Sequence, residues 1–298
     1  MSNTSNPPFV LSTRPTEDFL RVVRELNVIA TRLGIPFFLA GAAARDIVLV
    51  NLWGQSPGRA TADIDFAFGV DDWAEFERLR EELLATKRFE RVPRKEQRFL
   101  YTDPDHGFQL PVDFNPFGGI ASENQMIEWP PEGDFVTNVA GFEEALASAL
   151  RIEFEPGLVL SVASLPGLAI LKIIAWADRH MENNKDAADL YKILTTYHSA
   201  GNENRIYDQE PGLLESVDYD LTLAGAQLLG RDAAHISNSV AAGQIGNLLS
   251  SEAQTDLLIS HVITTASYED NAASVARTFE RFKQGYQVGS IMRQASDE

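Results

Sequence analysis

The sequence predicts an α+β N-terminal half followed by an all-helical C-terminal half. Three observations carry this reading. Short apolar runs at 36–40, 62–68 and 108–115 are too brief for helices. They alternate with amphipathic stretches of helical period at 16–33 and 72–86. From Pro166 onward the apolar spacing is helical almost throughout. No internal repeat is present.

The elements follow in order. Residues 1–15 are rich in Ser, Asn, Thr and Pro and read as a flexible lead-in. Thr16 is an N-cap for a helix whose Phe19, Val22, Val23, Leu26, Ile29 and Leu33 share one face, and Gly34 ends it. A buried strand is expected at 36–40, a helix at 42–52, a loop at 54–59 and a strand at 62–68. A helix follows at 72–86, then two strands at 97–102 and 108–115 around the turn Asp103-Pro104-Asp105-His106-Gly107. A short helix is expected at 142–150, with strands at 151–154 and 158–162. The later helices are placed at 166–181, 185–199, 213–230, 252–266 and 270–285, with a dividing loop at 200–212. The expected organisation is a catalytic domain over 16–162, a helical domain over 163–287, and flexible tails at 1–15 and 288–298.

Composition bounds the function. The chain has 298 residues, 44% of them hydrophobic, so it can bury a sizeable core. It has no cysteine, which excludes disulfides and thiolate metal sites. No apolar run is long enough to span a membrane, and the first residues lack the pattern of a signal peptide, so a cytoplasmic location without membrane partners is expected. The formal net charge of -18 argues against a general nucleic-acid coat. Arg91, Arg94, Lys95 and Arg98 form the densest positive cluster, read either as a solvated loop or as a contact for nucleotide or RNA phosphate.

The chemistry lies in three carboxylates. Two aspartates at spacing i, i+2 mean little alone, and this chain supplies its own controls. Asp103 and Asp105 sit in a turn, where Asp is ordinary. Asp218 and Asp220 precede a helix, where acids favour the N-terminus. Asp63-Ile64-Asp65 differs because it lies in a β-type run. Alternation puts Asp63, Asp65 and Ala67 on one face and Ile64, Phe66 and Phe68 on the other. The run 108–115 repeats this, with Asp113 opposed to Val112 and Phe114. Neighbouring strands would bring three carboxylates together, where they repel each other unless a cation intervenes. Such a cluster suits two divalent cations clamping an in-line phosphoryl displacement. Just before it, strand 36–40 runs through Gly41 into a helix start, whose free N–H groups favour an anion.

A second constellation lies on the first two helices of the C-terminal half: Lys172 and Arg179, then Lys185, Asp186 and Asp189. One reading is a set of internal ion pairs; the other has Lys172 or Lys185 touching phosphates. The five histidines show no metal-ligand spacing, and no P-loop, dinucleotide fingerprint or nucleophile elbow occurs.

These residues resemble the nucleotidyltransferases of the DNA polymerase β-like superfamily, and within it the AbiEii/AbiGii toxin-type group. The matching segments are Leu39-Ala40-Gly41-Ala42-Ala43-Ala44-Arg45-Asp46, Arg59-Ala60-Thr61-Ala62-Asp63-Ile64-Asp65-Phe66, Val112-Asp113-Phe114, and Lys172 through Lys185-Asp186-Ala187-Ala188-Asp189-Leu190. The glycine motif of the family often reads Gly-Gly or Gly-Ser, whereas Ala42 follows Gly41 here, so a phosphate-binding serine is absent.

The resemblance implies a two-layer nucleotidyltransferase fold with a mixed sheet, and a helical C-terminal domain. It implies an NTP substrate, two Mg2+ ions, and transfer of a nucleoside monophosphate with release of pyrophosphate. Asp63, Asp65 and Asp113 are the implied catalytic and metal-binding acids. Gly41, Ala42, Arg45 and Thr61 are the implied nucleotide-binding residues of the first half, with Lys172, Lys185 and Asp186 from the second. The implied acceptor is RNA, notably a tRNA-like end, and the implied partner is an antitoxin. Two other readings stand beside it: transfer to a small molecule or a protein, the small molecule being favoured by the acidic chain if it is cationic, and a non-catalytic nucleotide-binding sensor.

Overall fold

The computed structural model describes residues 7–130, 133, 135–265 and 272–297. The expected lead-in over 1–6, the predicted helix end at 266 and helix start at 270, and Glu298 lie outside them. The chain divides into two compact units, Met1–Ser164 and Leu165–Glu298.

The first unit runs β1 (Phe9–Val10), α1 (Glu17–Leu33), β2 (Phe37–Ala40), α2 (Gly41–Asp46), a π-helical turn (Ile47–Leu52), β3 (Ile64–Gly69) and α3 (Trp73–Ala85). It continues with β4 (Phe89–Arg91), β5 (Arg98–Thr102), β6 (Gln109–Phe117), β7 (Met126–Glu128), β8 (Val136–Asn138), α4 (Phe142–Ala147), β9 (Leu150–Glu155) and β10 (Leu158–Val162). Capping explains the helix starts. The Thr16 hydroxyl accepts from the Phe19 N–H at 3.4 Å and the Asp72 carboxylate from Glu75 N–H at 2.8 Å. Gly34 closes α1 in the left-handed conformation, φ 73°.

Eight strands form one mixed sheet in the order β1-β9-β10-β2-β3-β6-β5-β4. β3 and β6 are parallel neighbours, while β2 and β3, and β5 and β6, are antiparallel. One face carries Phe66, Phe68, Phe114 and Phe99, buried and in mutual ring contact. Arg80 of α3 lies over the ring of Phe99 on that side. The opposite face is not simply polar. Along the same face as the acids, Phe38 and Phe117 pack with Phe142 of α4 at centroid separations of 5.7–6.2 Å. The carboxylates therefore share their face with an apolar cluster built by Phe38, Phe117 and Phe142.

The second unit is helical throughout its described residues: α5 (Leu165–Arg179), α6 (Lys185–Thr196), a π-helical turn (Arg205–Gln209), α7 (Pro211–Glu215), α8 (Leu221–Ile236), α9 (Ser239–Ser250), α10 (Glu252–Thr265) and α11 (Ala272–Asp297). α8 and α11 cross with backbones in contact. A Cβ on Gly285 would lie 1.9 Å from the Gln227 carbonyl oxygen, and one on Gly230 would lie 2.1 Å from that of Phe282. Several local outcomes depart from the sequence reading. The expected 200–212 loop holds a π-helical turn and the start of α7, and the helix expected over 213–230 is broken between α7 and α8. The 42–52 helix splits into an α and a π segment, and α11 runs past 285 to Asp297. The small, glycine-rich run 239–250 also forms a helix, capped by Asn238 accepting from Ala241 N–H at 2.9 Å.

Candidate active site

Strand register assembles the acids. Ala40 of β2 pairs with Asp65 of β3, Asp65 pairs with Asp113 of β6, and Asp113 pairs with Arg98 of β5. Residues paired across a sheet point to the same face, so Asp65, Asp113 and Arg98 form one row. Asp63 lies just before β3 and reaches the same place: its Oδ2 accepts from a terminal guanidinium nitrogen of Arg98 at 2.7 Å. The same nitrogen donates to Asp113 Oδ2 at 2.6 Å, and Arg98 Nε donates to Asp113 Oδ1 at 2.6 Å.

Local chemistry fixes each acid. The Thr61 hydroxyl donates to Asp63 Oδ1 at 2.9 Å. Burial alone would push the Asp63 carboxyl up, but the Thr61 hydroxyl and the Arg98 guanidinium together hold it below the usual carboxylate range. Asp113 is 8% exposed. The guanidinium of Arg98 is more basic than usual, chiefly through its bonds to Asp113. Asp65 is accommodated by a glycine: a Cβ on Gly41 would sit 2.0 Å from Asp65 Oδ2. Gly41 also has φ 65°, which favours glycine for a second reason.

The remaining sequence-predicted residues fall as follows. Ala42 is buried in the first turn of α2. Arg45 is 1% exposed; its guanidinium binds the Asp46 carboxylate at 2.7 Å and donates to the Arg59 carbonyl at 2.8 Å, with Gly58 packed against it. It ties the 54–59 loop to α2. In the helical unit, buried Lys172 binds Asp186 at 2.9 Å and Asp189 at 2.8 Å, and Arg179 binds Asp186 at 2.7 Å. Burial opposes the charge of Lys172, yet the two carboxylates raise its pKa above the usual value. Burial likewise opposes the Asp186 carboxylate, but Lys172 and Arg179 lower its pKa to about 2. Lys185 is exposed at the start of α6.

Both control pairs behave ordinarily. Asp220 caps α8, accepting from Leu223 N–H at 3.1 Å. Asp103 Oδ1 accepts from the N–H groups of Asp105 and His106 at 2.7 and 2.9 Å. Among the described residues, Asp103, Asp105 and His106 are the one group whose potential ligand atoms all lie within 4.8 Å of one another. Buried Asp103 is already paired there with Arg21 at 3.0 Å, so the group is a braced turn. The acids of the candidate site are gathered less tightly, because the Arg98 guanidinium lies between two of them.

The positive cluster at 91–98 divides. Arg91 pairs with Glu77 at 3.0 Å, Arg94 and Lys95 are exposed on the β4–β5 turn, and Arg98 enters the acid row. The role of Arg98 is the one the sequence reading missed. Counting back equally from the expected 103–107 turn pairs residue 98 with residue 112; the observed connection is one residue longer, 103–108, and this sets Arg98 beside Asp113.

Strand pairing thus gathers Asp63, Asp65, Asp113 and Arg98 beside the turn from β2 into α2. Among the described residues no helix is long and apolar enough to cross a membrane.

Several solved structures are similar to the chain. A nucleotidyltransferase-like protein from Paracoccidioides brasiliensis is 16% identical, with a TM-score of 0.41 over 69% of this chain and 94% of that one. ANT(2'')-Ia in complex with adenylyl-2''-tobramycin is 13% identical, with a TM-score of 0.37 over 70% and 97%. JHP933 from Helicobacter pylori is 12% identical, with a TM-score of 0.37 over 95% and 97%. No curated protein sequence matches the chain. The family described as nucleotidyl transferase AbiEii toxin, type IV TA system, matches residues 29–211, which include the acid row, the glycine turn and the Lys172–Asp189 network. With well over half of its length matched, the chain belongs to the AbiEii nucleotidyltransferase family and is a nucleotidyl-transferring enzyme.

Proposed function

We propose that the protein is a magnesium-dependent nucleotidyltransferase that moves a nucleoside monophosphate from an NTP to a hydroxyl of RNA, at a tRNA-like end, as the toxin of a type IV toxin–antitoxin system. The observation that carries this is the shared guanidinium: Asp63 and Asp113 both bind one nitrogen of Arg98 at 2.7 and 2.6 Å. Two carboxylates that already share one cationic group fit a divalent cation in chemistry and in charge. Asp65 is in register with Asp113, and the bare α-carbon of Gly41 leaves its carboxylate room.

Asp63, Asp65 and Asp113 would hold the metal. When bound, Mg2+ lowers the pKa of the attacking hydroxyl and neutralises the charge on the leaving pyrophosphate. The protein's own groups do the rest. Thr61 fixes the Asp63 carboxylate by one hydrogen bond. Gly41 and Ala42 offer backbone N–H groups to the triphosphate at the start of α2. Asp113 accepts the proton of the acceptor hydroxyl. Arg45 holds the 54–59 loop that leads to Thr61 and Asp63. Lys172 and Asp186 brace α5 against α6, and Lys185 is the exposed cation available to phosphate.

The net charge of -18 favours a second reading, transfer to a cationic small molecule drawn by the acidic surface. Incubation with Mg2+, each α-labelled NTP in turn, and total RNA separates the two. Label in a discrete RNA band supports the RNA reading. Pyrophosphate release without labelled RNA supports the second.

A further inference from the structure

Arg98 does more than line the site. It is the first residue of β5, and its guanidinium donates to the two acids at 2.6, 2.6 and 2.7 Å. The pairing is intimate, with the Asp113 side chain 12% exposed and that of Arg98 23% exposed. A guanidinium fork bound this way neutralises much of the repulsion between neighbouring carboxylates. A divalent cation in the same place would do the same, and two such cations side by side repel each other.

We propose that Arg98 is an internal competitor for the metal. In the free protein its guanidinium holds Asp63 and Asp113, and it withdraws when a divalent cation binds them. The withdrawn group then pairs with the substrate phosphates, for which the guanidinium fork is equally well shaped. Every charge keeps a partner through the exchange: the carboxylates pass from guanidinium to metal, and the guanidinium passes from carboxylate to phosphate. Metal alone must displace Arg98 without giving it a new partner, whereas metal with nucleotide supplies one. Metal and nucleotide binding are thereby positively coupled through one side chain. The competition also explains why the three acids do not close on a single point.

This inference rests on the metal-dependent reading above, and the test separates the two. Mn2+ is titrated into the full-length protein without nucleotide, followed by calorimetry and by Mn2+ electron paramagnetic resonance. Arg98→Gln removes the competitor, so its Mn2+ affinity is expected to exceed that of wild type by about tenfold or more. Arg98→Lys keeps a charge but loses the fork, and falls between them. The Asp63→Ala/Asp65→Ala change made on Arg98→Gln abolishes the gain. An Arg98→Gln affinity equal to or below wild type overturns the proposal while leaving the metal site standing. Absence of Mn2+ binding in every variant overturns the metal-dependent reading itself. Should Arg98→Gln not fold, Arg98→Lys carries the test, and an affinity no tighter than wild type overturns the proposal.

Discussion

Gly41 and Asp65 are built around each other: a Cβ on residue 41 would lie 2.0 Å from one carboxylate oxygen and 2.6 Å from the carboxyl carbon of Asp65. The turn from β2 into α2 and the acid of β3 therefore form one structural unit. Gly41→Ala adds a left-handed backbone penalty of about 1–2 kcal/mol and drives the carboxylate from its place. The expected outcome is a lowered melting temperature together with loss of metal binding and of transfer. Retained activity in a stably folded Gly41→Ala protein would show that Asp65 is not held as described.

Asp65→Ala removes the acid while the Arg98 guanidinium stays bound to Asp63 and Asp113. Circular dichroism and the unfolding midpoint should stay near wild type. The transfer rate should fall by at least about a hundredfold to a thousandfold, the range seen when one charge-stabilising group is lost.

Thr61→Val deletes the hydroxyl that fixes Asp63 and keeps the side-chain volume. One hydrogen bond to a charged group is worth roughly 1.5–3 kcal/mol. Transfer should therefore drop about tenfold or more, with no change in fold, when kcat/KM for the NTP is compared at constant metal concentration.

The Lys172–Asp186–Asp189–Arg179 network predicts acid sensitivity. Burial works against the Asp186 carboxylate, but Lys172 and Arg179 together lower its pKa to about 2 in the folded protein. A depressed carboxylate contributes stability above its unfolded pKa and loses it as pH falls through the folded value. About 2 kcal/mol of stability should disappear between roughly pH 4 and pH 2. Denaturant melts across this range, compared with Asp186→Asn, measure it; the variant should show a shallower loss. Lys172→Met leaves two buried carboxylates short of a cation and should cost about 3–5 kcal/mol at neutral pH.

The α8–α11 crossing predicts a purely structural defect. Gly285→Ala would set a methyl group 1.9 Å from the Gln227 carbonyl oxygen, and backbone cannot yield as a side chain can. The expected cost is about 1–3 kcal/mol, read as a lowered unfolding midpoint. Mn2+ affinity at the acid row should be unchanged.

Much of this was legible in the sequence because it rests on local rules. Thr16, Gly34, Asp72 and Asp220 mark helix ends through side-chain size and hydrogen bonding alone. Alternation placed Asp63 and Asp65 away from Phe66 and Phe68, and the turns around Asp103 and Asp220 set those aspartates apart from the strand acids. What was not legible depends on register and packing. Period-2 alternation says which face Asp113 takes but not that Arg98 lies beside it. Composition concealed α9, because Gly, Ala and Ser at 239–246 weaken any apolar period. Short edge strands such as β1 and β4 carry too few residues for a pattern. The apolar stretch on the acid face, built by Phe38, Phe117 and Phe142, comes from three separate segments.

The central claim is that Asp63, Asp65 and Asp113 form the centre for nucleotidyl transfer. The most direct test incubates the wild-type protein and its Asp63→Ala/Asp65→Ala variant with Mg2+, each α-labelled NTP and total RNA. Labelled product is counted alongside released pyrophosphate. The account predicts pyrophosphate release and label in a discrete RNA band with wild type only, both lost on chelation of the metal. Equal labelling by the folded double variant, or no turnover of any NTP by wild type, would contradict it.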